Sequence, residues 1–152
     1  MKPDFSVRSI NPDEVDLAVT LLQAQLEEHE IQTPPAALRR VIEQVVAEAR
    51  HGFIALAFAD AEAVGIAYAA AHLSAEHGGT IGWLEELYVV PAWRNRGAGS
   101  ALLREVAIRA EALGWRSLEL EVVRGHERTV PLYERHHFRA LSRTRFQRQL
   151  GA

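Results

Sequence analysis

The chain has 152 residues, 48% apolar and 24% charged, a balance that suits one globular domain spanning residues 1–152 and excludes a disordered tail or a fibrous repeat. A net charge of −3 leaves no overall positive field to hold a phosphate polymer by counterion release, so no nucleic-acid partner is expected. The absence of cysteine excludes disulfides, thiolate metal sites and cysteine nucleophiles.

The opening "MKPDFSVRSI" lacks the apolar core of a secretory signal, so a cytoplasmic location is expected. Phe5 to Ser9 alternates as a strand does. Asn11, Pro12 and Glu14 then supply an N-cap, a first-turn proline and a capping-box acid, and Val15, Ala18, Val19, Leu22 and Leu26 form one helical face. Thr33, Pro34 and Pro35 cap a second helix with Leu38, Val41, Ile42, Val45 and Ala49 as its stripe, and Gly52 ends it.

The most apolar stretch, Phe53 to Leu73, is long enough to cross a bilayer but carries Asp60 and Glu62 in its middle and is rich in alanine. It reads as an antiparallel pair, Phe53–Ala59 and Ala63–Ser74, and no membrane association is expected. After the loop "EHGGT", Ile81 to Val90 is a strand stopped by Pro91. Leu102, Leu103, Val106, Ala107, Ala110 and Leu113 make the strongest helical stripe, with Gly114 as its C-cap. Leu118 to Val122 is a strand, "GHERTVPLYERHHF" a short helix after a loop, and Ala140 to Leu150 a last, polar-alternating strand.

The resulting order is βααβββαβαβ. A single strand–helix–strand unit, Ile81 to Val122, forces one parallel pair. The predicted fold is therefore α/β, in the α+β sense: a central, mostly antiparallel mixed sheet with one crossover and helices on both faces.

Between that strand and its helix stands "RNRGAG", residues 94–99. A helix start offers backbone N–H groups without partners and about half a positive charge, and glycines let a bulky anion approach and permit positive φ. Arg94 and Arg96 add donors. A dinucleotide fingerprint would need a small residue where Leu102 stands, and a Walker loop would need a lysine where Gly99 is followed by Ser100 and Ala101.

The whole segment "LEELYVVPAWRNRGAGSALL", with [RQ]-x-x-G-x-[GA] directly after a strand ending V-x-P, resembles the acetyl-CoA-binding segment of the GNAT superfamily of N-acetyltransferases. The shorter run "WLEELYVVP" is similar to the diamine and polyamine branch of that superfamily. The resemblance implies a GNAT-like fold and acetyl-CoA as co-substrate. It also implies a strand at Leu87, Tyr88 and Val89 that splays from its parallel neighbour and offers its backbone to the pantetheine arm. Amides of Asn95, Arg96, Gly97, Ala98, Gly99 and Ser100 would hold the pyrophosphate, with Arg94 heading the loop. His126, where the family often has asparagine, would reach the pantetheine.

For the chemistry, Tyr133 of "YERHHF" matches the family tyrosine that protonates the departing thiolate, and His137 replaces the usual glycine of that turn. Strand alternation sends the Glu85 and Glu86 side chains to opposite faces, so at most one points along the substrate path, and Glu85 is preferred because it matches the family position that accepts the amine's proton through water. Glu85, Glu86 and Glu28 are the candidate acceptor-binding acids, with His29 and Glu30 beside Glu28.

No metal is expected. "HERTV" at 126 places Val130 where a second zinc ligand would stand, and adjacent His136 and His137 point apart on a helix. The implied activity is direct acetyl transfer, in a ternary complex, to a primary amine of a small cationic acceptor. Acetylation of a protein N-terminus, a lysine or an aminoglycoside is the alternative within the same core, and a non-catalytic acetyl-CoA sensor is the alternative outside it. A homodimer pairing or exchanging the Ala140–Leu150 strand is expected.

Overall fold

A computed structural model describes residues 4–151, so the two ends of the 1–152 domain span, residues 1–3 and 152, lie outside the described residues. The elements are β1 (Ser6–Ser9), α1 (Val15–Glu28), α2 (Pro35–Ala47), β2 (Gly52–Ala59), β3 (Glu62–Ser74), β4 (Gly79–Val89), α3 (Ala98–Ala112), β5 (Leu118–Glu119) and α4 (Val130–Arg135). The strands form one sheet in the order β1-β2-β3-β4-β5, antiparallel throughout except for the parallel β4–β5 pair across α3.

Local chemistry sets the entry to α1. The Asn11 N–H donates to the Glu14 carboxylate at 2.8 Å, and Arg8 grips the same carboxylate with two bonds of 2.7 Å. This fixes a 3₁₀ turn at Pro12–Glu14 that leads into the helix.

All eight residues of β2 are buried, and their alternation divides the core. Ile54, Leu56 and Phe58 face α1 and α2, where Leu22, Leu38 and Ile42 meet them. Phe53, Ala55, Ala57 and Ala59 face α3, where Leu102, Leu103 and Val106 meet them. Alanine on that side explains why a composition weighted to small residues still fills a core: it brings the large side chains of α3 close to the sheet.

Gly52 is required where α2's connection enters β2. Its φ is +119°, and a Cβ there would overlap the carbonyl oxygen of Ala69 in the neighbouring strand. At the far end, α4 closes with Phe138 N–H bonded to Tyr133 O at 3.1 Å and His137 N–H to Glu134 O at 3.1 Å. His137 itself has φ +69°, so the turn keeps the left-handed geometry that the missing glycine would have taken without strain.

Two expectations are corrected. The strand read from Leu118 to Val122 pairs only over Leu118–Glu119, and Ala140–Leu150 forms no strand. A strand needs an edge to pair with, and a two-residue β5 presents almost none. The segment is held by side chains instead: Arg143 to Glu76 at 3.0 Å, Arg145 to Glu121 at 3.0 Å, and Arg145 4.6 Å above the Trp83 ring. Leu141, Phe146 and Leu150 remain exposed along it, so the homodimer expectation rests on a segment that is not a strand.

Replacing Gly52 by alanine is expected to destabilise the chain by about 3 kcal/mol, because backbone must move on both β2 and β3. Replacing His137 by glycine is expected to stabilise it by about 1 kcal/mol through relief of the left-handed residue. Urea denaturation midpoints at unchanged m-value check both.

Candidate active site

The sheet opens where β4 leaves β5. Only Gly82 and Trp83 pair with β5, whereas β4 continues alongside β3 to Val89. Within the β3–β4 ladder, Tyr68 opposes Glu86 and Ala69 opposes Leu84, so Glu85 is an inserted residue with no partner, a β-bulge. The Val90 N–H to Val64 O bond of 2.9 Å sets the phase beyond it. Tyr88 and Glu86 therefore turn their backbone groups to β3, and Leu87 and Val89 turn theirs into the gap. Both gap-facing carbonyls have partners, Leu87 O accepting from Gln25 Nε2 at 3.1 Å and Val89 O from Arg94 Nε at 2.9 Å. The expected splay is present.

The bulge also overturns the expected placement of the two acids. An inserted residue breaks strict alternation, so Glu85 and Glu86 do not face opposite sides. Both line one cavity beneath α1 and α2, with Tyr68 beside them and Leu22, Leu38, Ile42 and Ile54 as apolar wall. Glu85 is exposed and Glu86 half-buried. Burial first, and the neighbouring Glu85 second, push the Glu86 carboxyl up to about 7. Tyr133 belongs to the opposite side of the sheet, edge-on to Phe138 at 5.9 Å. Burial, and then Glu86, hold its phenol above the ordinary value. Glu86 thus both lines the cavity and acts electrostatically on Tyr133.

At the other end of the gap, a 3₁₀ turn (Pro91–Trp93) leads through Asn95, with φ +61°, to Gly97, with φ +98°. α3 begins at Ala98 without a side-chain cap, and Ala101 N–H to Gly97 O at 3.0 Å is bonded in the first turn. The N–H groups of Ala98, Gly99 and Ser100 are the unpaired donors of that helix start. Nothing lies within 4 Å of a Cβ built on Gly97, so the approach is open to a large anion.

Positive φ at both glycines was the expectation, and it holds only at Gly97. Gly99 is already helical, and its missing side chain admits Leu132 of α4, whose Cδ2 would lie 3.4 Å from a Cβ. His136 Nε2 and Ser100 Oγ, 3.0 Å apart, tie α4 to the same turn. Arg96 stacks over Trp93 at 5.1 Å.

Three residues near the end of α1 reach across to this region. Gln25 is buried, holds Leu87 O, and leaves its Oε1 buried with no partner. Glu28 pairs with Arg94 at 2.7 Å, and the Arg94 guanidinium lies 5.5 Å over the Tyr88 ring. His29 stacks on His126 with ring centroids 4.5 Å apart and planes 10° from parallel. Burial and then His126 hold the His29 imidazole below its ordinary value. Glu28 is therefore drawn to the loop arginine and does not line the cavity. Gln25 and Tyr68 were not anticipated. The available signal for Gln25 was its position between Leu22 and Leu26 on an otherwise apolar helix face.

These features fit a coenzyme with a pyrophosphate and an amide-bearing arm. Free helix-start N–H groups suit the phosphates, and the gap-facing N–H groups of Leu87 and Val89 with the orphaned Gln25 Oε1 suit amides. Among the described residues there is no group of three His, Asp or Glu placed to hold a metal ion, and no helix is long and apolar enough to cross a membrane.

The model of the acetyltransferase (GNAT) family matches residues 18–138. No curated protein sequence matches the chain. Among solved structures, an integron cassette protein from the mobile metagenome of Cole Harbour Salt Marsh is 26% identical with TM-score 0.86, over 96% of this chain and 91% of that one. An aminoglycoside N-acetyltransferase in complex with CoA is 21% identical with TM-score 0.82, over 96% and 95%. A ribosomal-protein-alanine N-acetyltransferase from Brucella melitensis is 20% identical with TM-score 0.77, over 97% and 100%. With the splayed β4, the open helix start and a family match across most of its length, this chain belongs to the GNAT family of acetyltransferases and uses acetyl-CoA as co-substrate.

Proposed function

We propose that the chain acetylates a primary amine of a small acceptor held in the cavity under α1 and α2, by direct attack in a ternary complex, with Glu86 as proton acceptor and Tyr133 as proton donor. The observation that carries this reading is the bulge at Glu85, which puts a carboxyl near pKa 7 on the cavity wall and within electrostatic reach of a half-buried phenol. Acetyl-CoA supplies the acyl group and a thiolate that must leave protonated. An ammonium ion drawn in by Glu85 gives its proton to Glu86 and so becomes a nucleophile. Tyr133 keeps its own proton at neutral pH, donates it at the departing sulfur, and is restored by the second proton the nitrogen sheds as the amide forms.

The N–H groups of Leu87 and Val89 orient the pantetheine arm, and those of Asn95 to Ser100 hold the pyrophosphate with help from Arg96. His126 borders the arm from the far side, where His29 steadies its ring. Arg94 acts mainly as a brace, joining Val89 O to Glu28. Glu28 therefore serves the loop in this reading, and acceptor binding falls to Glu85 and Glu86. A polyamine, an aminoglycoside and a protein N-terminus all present the primary amine this chemistry needs. Retention of both proton-transfer groups favours transfer over a non-catalytic sensor.

Thiol release from acetyl-CoA tests the assignment. Because the working base is the ionised carboxylate, kcat/KM is expected to fall about tenfold per unit as pH drops below about 7, the value at which burial holds Glu86. Glu86→Gln should remove that limb and lower turnover by about 10²-fold or more. The same substitution has a stability signature. In the unfolded chain Glu86 loses its proton near 4.5 and in the folded one near 7, so its ionisation opposes folding increasingly as pH rises through that window. The Gln variant should therefore melt higher than the parent at pH 8 and alongside it at pH 4. Tyr133→Phe should cut turnover by about 10²-fold while the KM for acetyl-CoA is unchanged. Full activity in both variants would overturn the assignment.

A further inference from the structure

The cavity that Glu85 and Glu86 share holds about 160 Å³. A cavity of about 150 Å³ is enough for a benzene ring. Its walls are aliphatic on three elements: Leu22 and Leu26 of α1, Leu38 and Ile42 of α2, and Ile54 of β2. Leu22, Ile42 and Ile54 are 2%, 1% and 1% exposed, so the floor of this cavity is part of the core, while Val41 and Glu85 stand exposed at its rim.

Polar groups are few and gathered together. The two carboxylates are consecutive residues of one bulge, Tyr68 stands directly across the ladder from Glu86, and Thr33 adds one hydroxyl. Glu28, the other candidate acid, is committed to Arg94.

A pocket with its acids at a single point and an aliphatic body recognises one ammonium group and one apolar moiety. We infer, on the basis of the proposed transfer reaction, that the acceptor is a primary monoamine bearing a compact apolar group, an aryl ring or a short branched alkyl chain one or two carbons from the nitrogen. A diamine would have to push its second ammonium among leucines and isoleucines, where a charge has no partner. An aminoglycoside carries many hydroxyls that would lose water, with almost no hydrogen-bonding groups on the wall to replace it. The similarity of "WLEELYVVP" to the polyamine branch covers the acids at the mouth, whereas the selectivity comes from α1 and α2.

The test uses the full chain with saturating acetyl-CoA, reading thiol release with ethylamine, propylamine, butylamine, 3-methylbutylamine and 2-phenylethylamine against 1,4-diaminobutane and kanamycin. Each added methylene is expected to raise kcat/KM about fourfold until the pocket fills. 2-Phenylethylamine should exceed 1,4-diaminobutane by about 100-fold or more. Faster turnover of the diamine or of kanamycin than of every apolar monoamine would overturn the inference and leave the transfer reaction standing.

Calorimetry of the same amines gives a readout independent of turnover. Binding of 2-phenylethylamine without any acetylation would keep the pocket assignment and overturn the transfer reading. The absence of binding by every apolar amine would overturn the inference itself. A variant adds a directional check. Val41 lines the same cavity but is 47% exposed, so Val41→Glu leaves the core intact and places an acid on the aliphatic wall. It is expected to raise the ratio of diamine to monoamine kcat/KM by about tenfold. An unchanged ratio would overturn the inference.

Discussion

One inserted residue in β4 organises the rest of this structure. Glu85 has no partner on β3, and the phase change it introduces does three things together. It bends β4 away from β5 after only two paired residues, which opens the sheet. It turns the N–H and C=O groups of Leu87 and Val89 into that opening. It also brings two consecutive carboxylates to one side of the strand, where ordinary pleating would have separated them. The gap beside β5 and the cavity under α1 and α2 are thus two consequences of one backbone irregularity.

The C-terminal half of α1 joins those two sites mechanically. Leu22 and Leu26 wall the cavity, while Gln25, Glu28 and His29 touch the β4 backbone, the loop arginine and His126 in turn. One helix face therefore walls the cavity, and the next face contacts β4 and the loop that leads into α3. The Glu28–Arg94 pair is partly exposed, so its contribution is that of a surface ion pair strengthened by a second bond from Arg94 to Val89 O and by the Tyr88 ring. Its importance lies in geometry, since it fixes the entry angle of the loop that presents the start of α3.

Glu86 shows how function is written as a cost. A carboxyl pushed to about 7 is one the fold would rather keep neutral, and both causes, burial and a neighbouring acid, come from the bulge. The expense is carried by the two cores on either side of the sheet, one built from large aliphatics and the other from alanines pressed against α3. Burial, and then the same carboxylate from the far side of the sheet, hold the Tyr133 phenol above its ordinary value.

Elements whose stability is local were readable from residue order. The capping acid Glu14, Pro91 as a strand stop and the crossover between β4 and β5 all depend on neighbours a few positions away, and each stands as expected. The α3 stripe holds from Leu102 to Ala110, whereas Leu113, read as its last member, caps the helix and is exposed. The positive φ at Gly97 also stands as expected, because positive φ is a property of one residue. Pairing across the sheet decided the remainder. Alternation alone puts Glu85 and Glu86 on opposite faces, and only the register against Tyr68 and Ala69 shows that it fails there. Ala140–Leu150 has the pattern of a strand but no edge to join, and Glu28 has the charge for an acceptor but a nearer partner in Arg94. The sequence by itself determined the four helices, the first four strands, the crossover and the residue types at the site. Tertiary structure decided which of them meet, because burial, pKa and cavity shape are set by neighbours distant in the chain.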